Sequence, residues 1–148
     1  MSNWLEDIAN KIPTIVEKIS FVVMEELNVE MQNRIFEQSN DVLGMGIKYG
    51  ESYSEEWEER RLKAGKQVLY IDLQFTGKLR KSITRTKDTS GESIIWGNFV
   101  EARKADNIEV LYEQIIFAPS KTESEKVLTS FENIFYESID QLAKRSKT

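Results

Sequence analysis

The sequence predicts an α+β domain: a small, mainly antiparallel sheet packed by a long N-terminal helix and a C-terminal helix. Three observations carry that expectation. Apolar residues recur at steps of three and four from Ile12 to Ile35, and again from Val127 to Leu142. Between these blocks the chain switches to short β-branched and aromatic runs bounded by turn residues. The 148 residues, 40% of them hydrophobic, suffice for one packed core and a single domain.

The elements follow in order. Asn3 and Glu6 read as a capping box ahead of Trp4, Leu5 and Ile8, and Pro13 should interrupt or kink a helix running through it. Beyond it Ile12, Ile15, Val16, Ile19, Val22, Val23, Leu27, Met31 and Ile35 form one stripe. That stripe predicts a helix of about 25 residues, on the order of 37 Å long. Residues 1–38 are thus helical, and 39–52, with Gly44, Gly46 and Gly50, read as a flexible loop.

Residues 53–119 read as a helix plus a β-rich core. Ser54 to Ala64 should be helical, capped by Ser52 with Glu55 or by Ser54 itself, with acids at its start, bases at its end and Gly65 as its stop. Val68 to Leu73 suits a strand. Ile83–Lys87 and 92–97 should pair as an antiparallel hairpin across Asp88-Thr89-Ser90-Gly91. Residues 98–114 are ambiguous; a short helix over Asp106–Gln114 and a strand over Ile115–Phe117 are one reading. The closing helix, 120–145, starts at a capping box of Ser120 and Glu123 and carries Val127, Leu128, Phe131, Ile134, Phe135, Ile139 and Leu142 on one face.

Composition excludes much chemistry. With no Cys and no His, the chain cannot build a thiolate or imidazole metal site, a disulfide framework, a Cys nucleophile or a histidine-based triad. No apolar run approaches the roughly 20 residues of a membrane span, and the first residues lack the basic start and apolar stretch of a signal peptide. A protein free in a reducing or redox-indifferent compartment, with no membrane partner, is expected. The formal charge of −5 argues mildly against wholesale binding of bare nucleic acid.

Candidate chemistry is sparse. Glu51, Glu55, Glu56, Glu58 and Glu59 crowd one helix start, where a solvated acidic face is the plain reading and a magnesium site for a carboxylate enzyme the sharp one. The glycines of 44–50 lack a phosphate-loop pattern, and no pattern supports a Ser–Lys dyad. Lys78, Arg80, Lys81, Arg85 and Lys87 fall within ten positions, with Phe75 the only aromatic nearby. They read as a solvated face, as a phosphate-contacting patch, or as the counterpart of an acidic protein surface. If Glu55, Glu56 and Glu59 of one copy met Lys78, Arg80, Lys81 and Arg85 of the next, the contact would be head-to-tail and could close a ring.

The most informative string is Asp72-Leu73-Gln74-Phe75-Thr76-Gly77-Lys78-Leu79-Arg80-Lys81-Ser82-Ile83. Thr76 can cap a single helical turn, Gly77 permits a sharp turn, and Leu79 and Ile83 share a side. This string, preceded by Tyr53-Ser54-x-x-Trp57-x-x-x-Arg61…Gly65-x-Gln67 and followed by Ile116-Phe117-Ala118-Pro119-Ser120, resembles the tail-completion, neck and virion-morphogenesis proteins of tailed bacteriophages. An aromatic–x–x–Phe-Gly element found in many relatives is replaced here by Leu111-Tyr112-Glu113-Gln114.

The resemblance implies a structural part of the head–tail junction, assembled in the host cytoplasm and carried in the virion. Such subunits close as rings, often of six, that complete the tail and join the tail tube protein to the neck or connector protein. DNA passes the lumen without sequence-specific binding, and neither catalysis nor a cofactor is implied. Thr76, Gly77, Leu79, Ser82 and Ile83 are then the family turn. The competing reading is a small DNA-binding or regulatory module using segment 78–87.

Overall fold

Helix α1 runs unbroken from Trp4 to Gln32 in the computed structural model, which describes residues 3–74 and 76–146. Pro13 does not interrupt it, contrary to the sequence expectation. Pro13 and Ala9, whose carbonyl loses its intrahelical partner, are both exposed, so water can solvate the vacated acceptor. Asn3 caps the helix by accepting from the Leu5 amide at 3.2 Å, but among the described residues Glu6 makes no return bond. Ile19, Val23, Leu27 and Met31 are buried as the stripe requires; Val22 is exposed. A π-helical turn, Asn33–Glu37, then widens the helix and turns Arg34, Ile35 and Phe36 inward together.

Segment 39–52 folds back on itself, with an Asn40–Gly46 bridge and a short 3-10 turn, Ile47–Gly50. Helix α2, Glu55–Lys63, follows. Ser54 stands at its N-cap without a side-chain bond, so neither expected cap forms. Gly65, at φ +69°, ends it as expected, its amide donating to the Leu62 carbonyl. Helix α3, Lys78–Ser82, leads directly into β1, Ile83–Asp88, which pairs antiparallel with β2, Gly91–Trp96. Asp88 pairs with Gly91, and Asp88 Oδ1 accepts from the Ser90 amide at 2.8 Å, the turn the sequence anticipated.

Two expected strands do not form. In 68–73 the backbone donors are taken by side chains: Gln67 Oε1 accepts from Leu69 and Tyr70, and the Tyr53 hydroxyl accepts from Asp72. Leu73 has φ +55°, which breaks the extended line. In 115–117 the Ile116 and Phe117 amides both donate to Glu109 Oε1, at 2.7 and 2.8 Å, leaving no ladder to join. The ambiguous stretch before it is one helix, α4, Phe99–Tyr112. It begins well ahead of Asp106 because Asn98 caps it, accepting from Val100 and Glu101.

Helix α5, Lys121–Arg145, has the full capping box of Ser120 and Glu123. It packs antiparallel to α1, as Arg34–Glu123 and Glu30–Lys126 ion pairs require. The hairpin covers another side of α1 through Glu17–Lys87 and Glu25–Arg85. The architecture is therefore α+β, a two-stranded antiparallel sheet with a long N-terminal and a C-terminal helix. The core lies where these elements meet, built from Leu27, Met31, Ile35, Phe36, Ile47, Ile71, Leu79, Ile83, Ala105 and Ile116. No helix is long and apolar enough to cross a membrane among the described residues.

Candidate functional site

The residues that carry the family resemblance converge in space. Tyr53, Arg61, Gln67 and Asp72 form one network around the buried Arg61 and Asp72, although they come from a loop, a helix and an irregular segment. Arg61, 2% exposed, donates from Nη2 to both Asp72 oxygens at 2.9 and 2.8 Å and from Nε to the Gln67 carbonyl at 2.8 Å. Its guanidinium lies 4.5 Å from the Tyr53 ring centre. Gln67 Nε2 and the Tyr53 hydroxyl donate to Asp72 as well, at 2.8 and 3.1 Å.

This network sets the local charge states. Burial alone would raise the Asp72 carboxyl. The Gln67 amide, the Gln74 N–H, Arg61 and Tyr53 together outweigh it and hold Asp72 below the usual carboxylate value. Burial pushes the Tyr53 hydroxyl up to about 12. Arg61 Nε and Nη2 and both Asp72 carboxylate oxygens spend their bonds on the fold. The arrangement locks α2 and the 66–74 segment in place.

The turn that follows is built as the residues suggested. Thr76 Oγ1 accepts from the Lys78 amide at 3.3 Å, Gly77 sits at φ +75°, and Leu79, Ser82 and Ile83 are buried, with Ser82 Oγ donating to the Leu79 carbonyl at 2.8 Å. Phe75, just before it, lies outside the described residues. Between α2 and α4 runs a groove of about 470 Å³ whose lining includes Trp57, Leu73, Leu79, Ile108 and Tyr112.

The basic segment divides into two sets. Arg80 pairs with Glu37, Arg85 with Glu25 at 2.6 Å and Glu92 at 2.8 Å, and Lys87 with Glu17, all within the chain. Lys78 and Lys81 are exposed and have no ion pair among the described residues. On α2, Glu56 pairs with Arg60 at 3.1 Å and Glu59 with Lys63 at 3.0 Å along the helix, while Glu55 stays exposed. The two segments do not pair with each other inside one copy. Among the described residues no group of three acids converges to hold a metal ion.

Two further polar clusters escaped the sequence reading. Arg34, placed by the π turn, donates to the carbonyls of Asn40, Ile116 and Ala118 and to both oxygens of Glu123, the nearest at 2.7 Å. It thereby ties α1 to the N-terminus of α5. Asp41 and Gln114 organise the 39–52 loop: Asp41 Oδ1 accepts from Leu43 and Met45, and Gln114 bridges Asp41, Gly46 and Lys48. An Asp three positions before the first glycine of the loop was the available signal; the partner 73 positions away was not.

Large apolar side chains stand outside this frame. Leu43 is 82% exposed and Leu111 74%, and Tyr49 and Ile115 lie on the same flank, joined by Val42–Ile115 and Tyr49–Glu113 hydrogen bonds. Comparison with protein-family models, with curated proteins and with solved structures finds no match.

Proposed function

We propose that the chain is a structural virion subunit of a tailed phage, one that assembles with copies of itself into a ring completing the tail and joining it to the neck or connector. The observation that carries self-assembly is surface area. A compact monomer of 17.2 kDa exposes about 7,800 Å², whereas this chain exposes 10,112 Å². The surplus, roughly 2,300 Å², exceeds the roughly 1,600 Å² that one subunit would bury against two ring neighbours at about 800 Å² each. The exposed Leu43, Tyr49, Leu111 and Ile115 suit such contacts, since a monomer rarely displays so many large apolar groups together.

The placement at a head–tail junction draws on the motif resemblance. The motif residues bond to one another and build a rigid frame, which supports a part that works by shape. Charge supports the register: Glu55 on α2 and Lys78 and Lys81 at α3 are left for a neighbour, with Glu56, Glu59, Arg80 and Arg85 flanking them. Sedimentation of the purified chain over a range of concentrations tests the reading. A ring species weakened by 1 M salt is expected, because salt shortens the Debye length to about 3 Å. A chain that stays monomeric at every concentration and does not bind tail tubes would overturn it.

One feature favours a DNA-binding or regulatory module instead: Lys78, Lys81 and Lys104 line one open groove beside Asn98. Gel shifts abolished by Lys78→Glu with Lys81→Glu would support that alternative, and no binding at low salt would remove it.

A further inference from the structure

Helix α4 carries a basic surface at its start and an acidic one at its end, and both display large apolar side chains. At the start, Lys78, Lys81 and Lys104 line an open groove with Asn98 and Val100. Val100 is 60% exposed and Phe99, beside it, 79%. At the end, Leu111 and Glu113 line a cleft with Tyr49, Glu51 and Ser54, and Glu55 opens α2 directly after Ser54. Lys104 is spent on Glu101 at 2.9 Å, and Glu51 lies 3.8 Å from Lys48. Among the described residues Lys78 and Lys81 at one end, and Glu55 and Glu113 at the other, are exposed and have no ion pair. The 14 residues of α4, anchored in the core by Ala105, span roughly 20 Å and hold the two surfaces apart.

We infer that the ring contact joins these two surfaces, the acidic end of α4 in one copy seating on the basic start of α4 in the next. The contact rests on the self-association in the proposed function and not on the phage setting. Charge selects the pairing. The unpaired Lys78 and Lys81 meet the unpaired Glu55 and Glu113, while Phe99 and Val100 meet Leu111 and Tyr49. A two-fold contact would instead set lysine against lysine or glutamate against glutamate, which is repulsive. The pairing is therefore heterologous, the kind that closes a ring. Area supports a second copy as the occupant: every copy supplies both faces, and the surplus of roughly 2,300 Å² covers two faces of about 800 Å² each. A purely basic partner would fit the acidic face alone, and a nucleic acid the basic face alone.

The chain has no cysteine, so introduced cysteines report the contact cleanly. Full-length Val100→Cys, Leu111→Cys and Leu69→Cys, the last at an 84% exposed position in the 66–70 loop, are treated at assembling concentration with a short bismaleimide. Mixing Val100→Cys with Leu111→Cys should give linked dimers, and neither should link to itself or to Leu69→Cys. Glu55→Lys with Glu113→Lys should raise the self-dissociation constant roughly tenfold or more. Adding Lys78→Glu with Lys81→Glu to the same chain should restore it to within about threefold, because both faces are then reversed together. All four positions are exposed, so circular dichroism should stay unchanged. In a chain that sediments as an oligomer, linkage of like with like, a mixed pair that stays unlinked, or reversal without rescue overturns this contact and leaves the ring reading intact. Lysine variants that lose DNA gel shifts yet assemble like the wild type overturn it in favour of nucleic acid at the basic face. A wild type that is monomeric throughout removes both.

Discussion

Replacing Arg61 with Met removes one half of a buried, doubly hydrogen-bonded ion pair while keeping most of the side chain's volume. Arg61 and Asp72 side chains are 2% and 12% exposed, so solvent cannot compensate the carboxylate left behind. Breaking such a pair from one side costs about 3–5 kcal/mol. For a chain of this length that lowers the melting temperature by about 6–20 °C. Asp72→Asn should cost less, since the amide keeps part of the bonding to Gln67 and Tyr53. Combining Arg61→Met with Asp72→Leu should be milder than the two single losses added together, because no orphaned charge remains. The assay is thermal and urea unfolding of the wild type, Arg61→Met, Asp72→Asn, Asp72→Leu and the double variant, with hydrogen exchange on α2. Exchange should rise in residues 55–74, which hang on this network. A loss below about 1 kcal/mol for Arg61→Met would refute the reasoning, since it would mean that the pair is effectively solvated.

Gly77→Val should lower stability by about 1–2 kcal/mol, because φ +75° is costly for a β-branched residue. An added Cβ would meet only Lys81 Cε at 4.0 Å, so Gly77→Asn, which tolerates this backbone, should recover most of the loss in the same melts. Stability should fall as pH rises from 10 toward 12, since Tyr53 keeps its proton in the folded state up to about 12 and the unfolded chain gives it up near 10. Tyr112, also raised by burial, adds to that slope, and Tyr53→Phe should flatten it in urea titrations at alkaline pH. On the acid side, the depressed Asp72 contributes stability above the unfolded value of 3.8 that is lost as pH falls through its folded value. Asp72→Asn should remove that part of the acid dependence.

Periodicity and capping alone determined a good deal here. The stripe from Ile19 to Ile35, the capping box at Ser120, the hairpin over Asp88–Gly91, the stop at Gly65 and the positive φ at Gly77 all arise from interactions within a few residues. Such interactions are written in adjacent letters. The failures share an opposite cause. Val68–Leu73 and Ile115–Phe117 have strand composition, yet their amides are claimed by Tyr53, Gln67 and Glu109 before any ladder can form. The early start of α4 needed only Asn98, a local signal that was present and outweighed by the weak apolar pattern around it.

The candidate site divides the same way. The motif from Tyr53 to Ile83 was visible as letters, but its physical meaning, two anchors on Asp72 reached from 11 and 19 positions away, exists only after folding. Likewise the basic run 78–87 looked uniform in sequence. Folding split it, because α1 sets Glu17 and Glu25 beside Lys87 and Arg85, the π turn sets Glu37 beside Arg80, and among the described residues no acid pairs with Lys78 or Lys81. Side-chain periodicity is decided by neighbours along the chain, while burial of charge and exposure of apolar surface are decided by which distant elements meet.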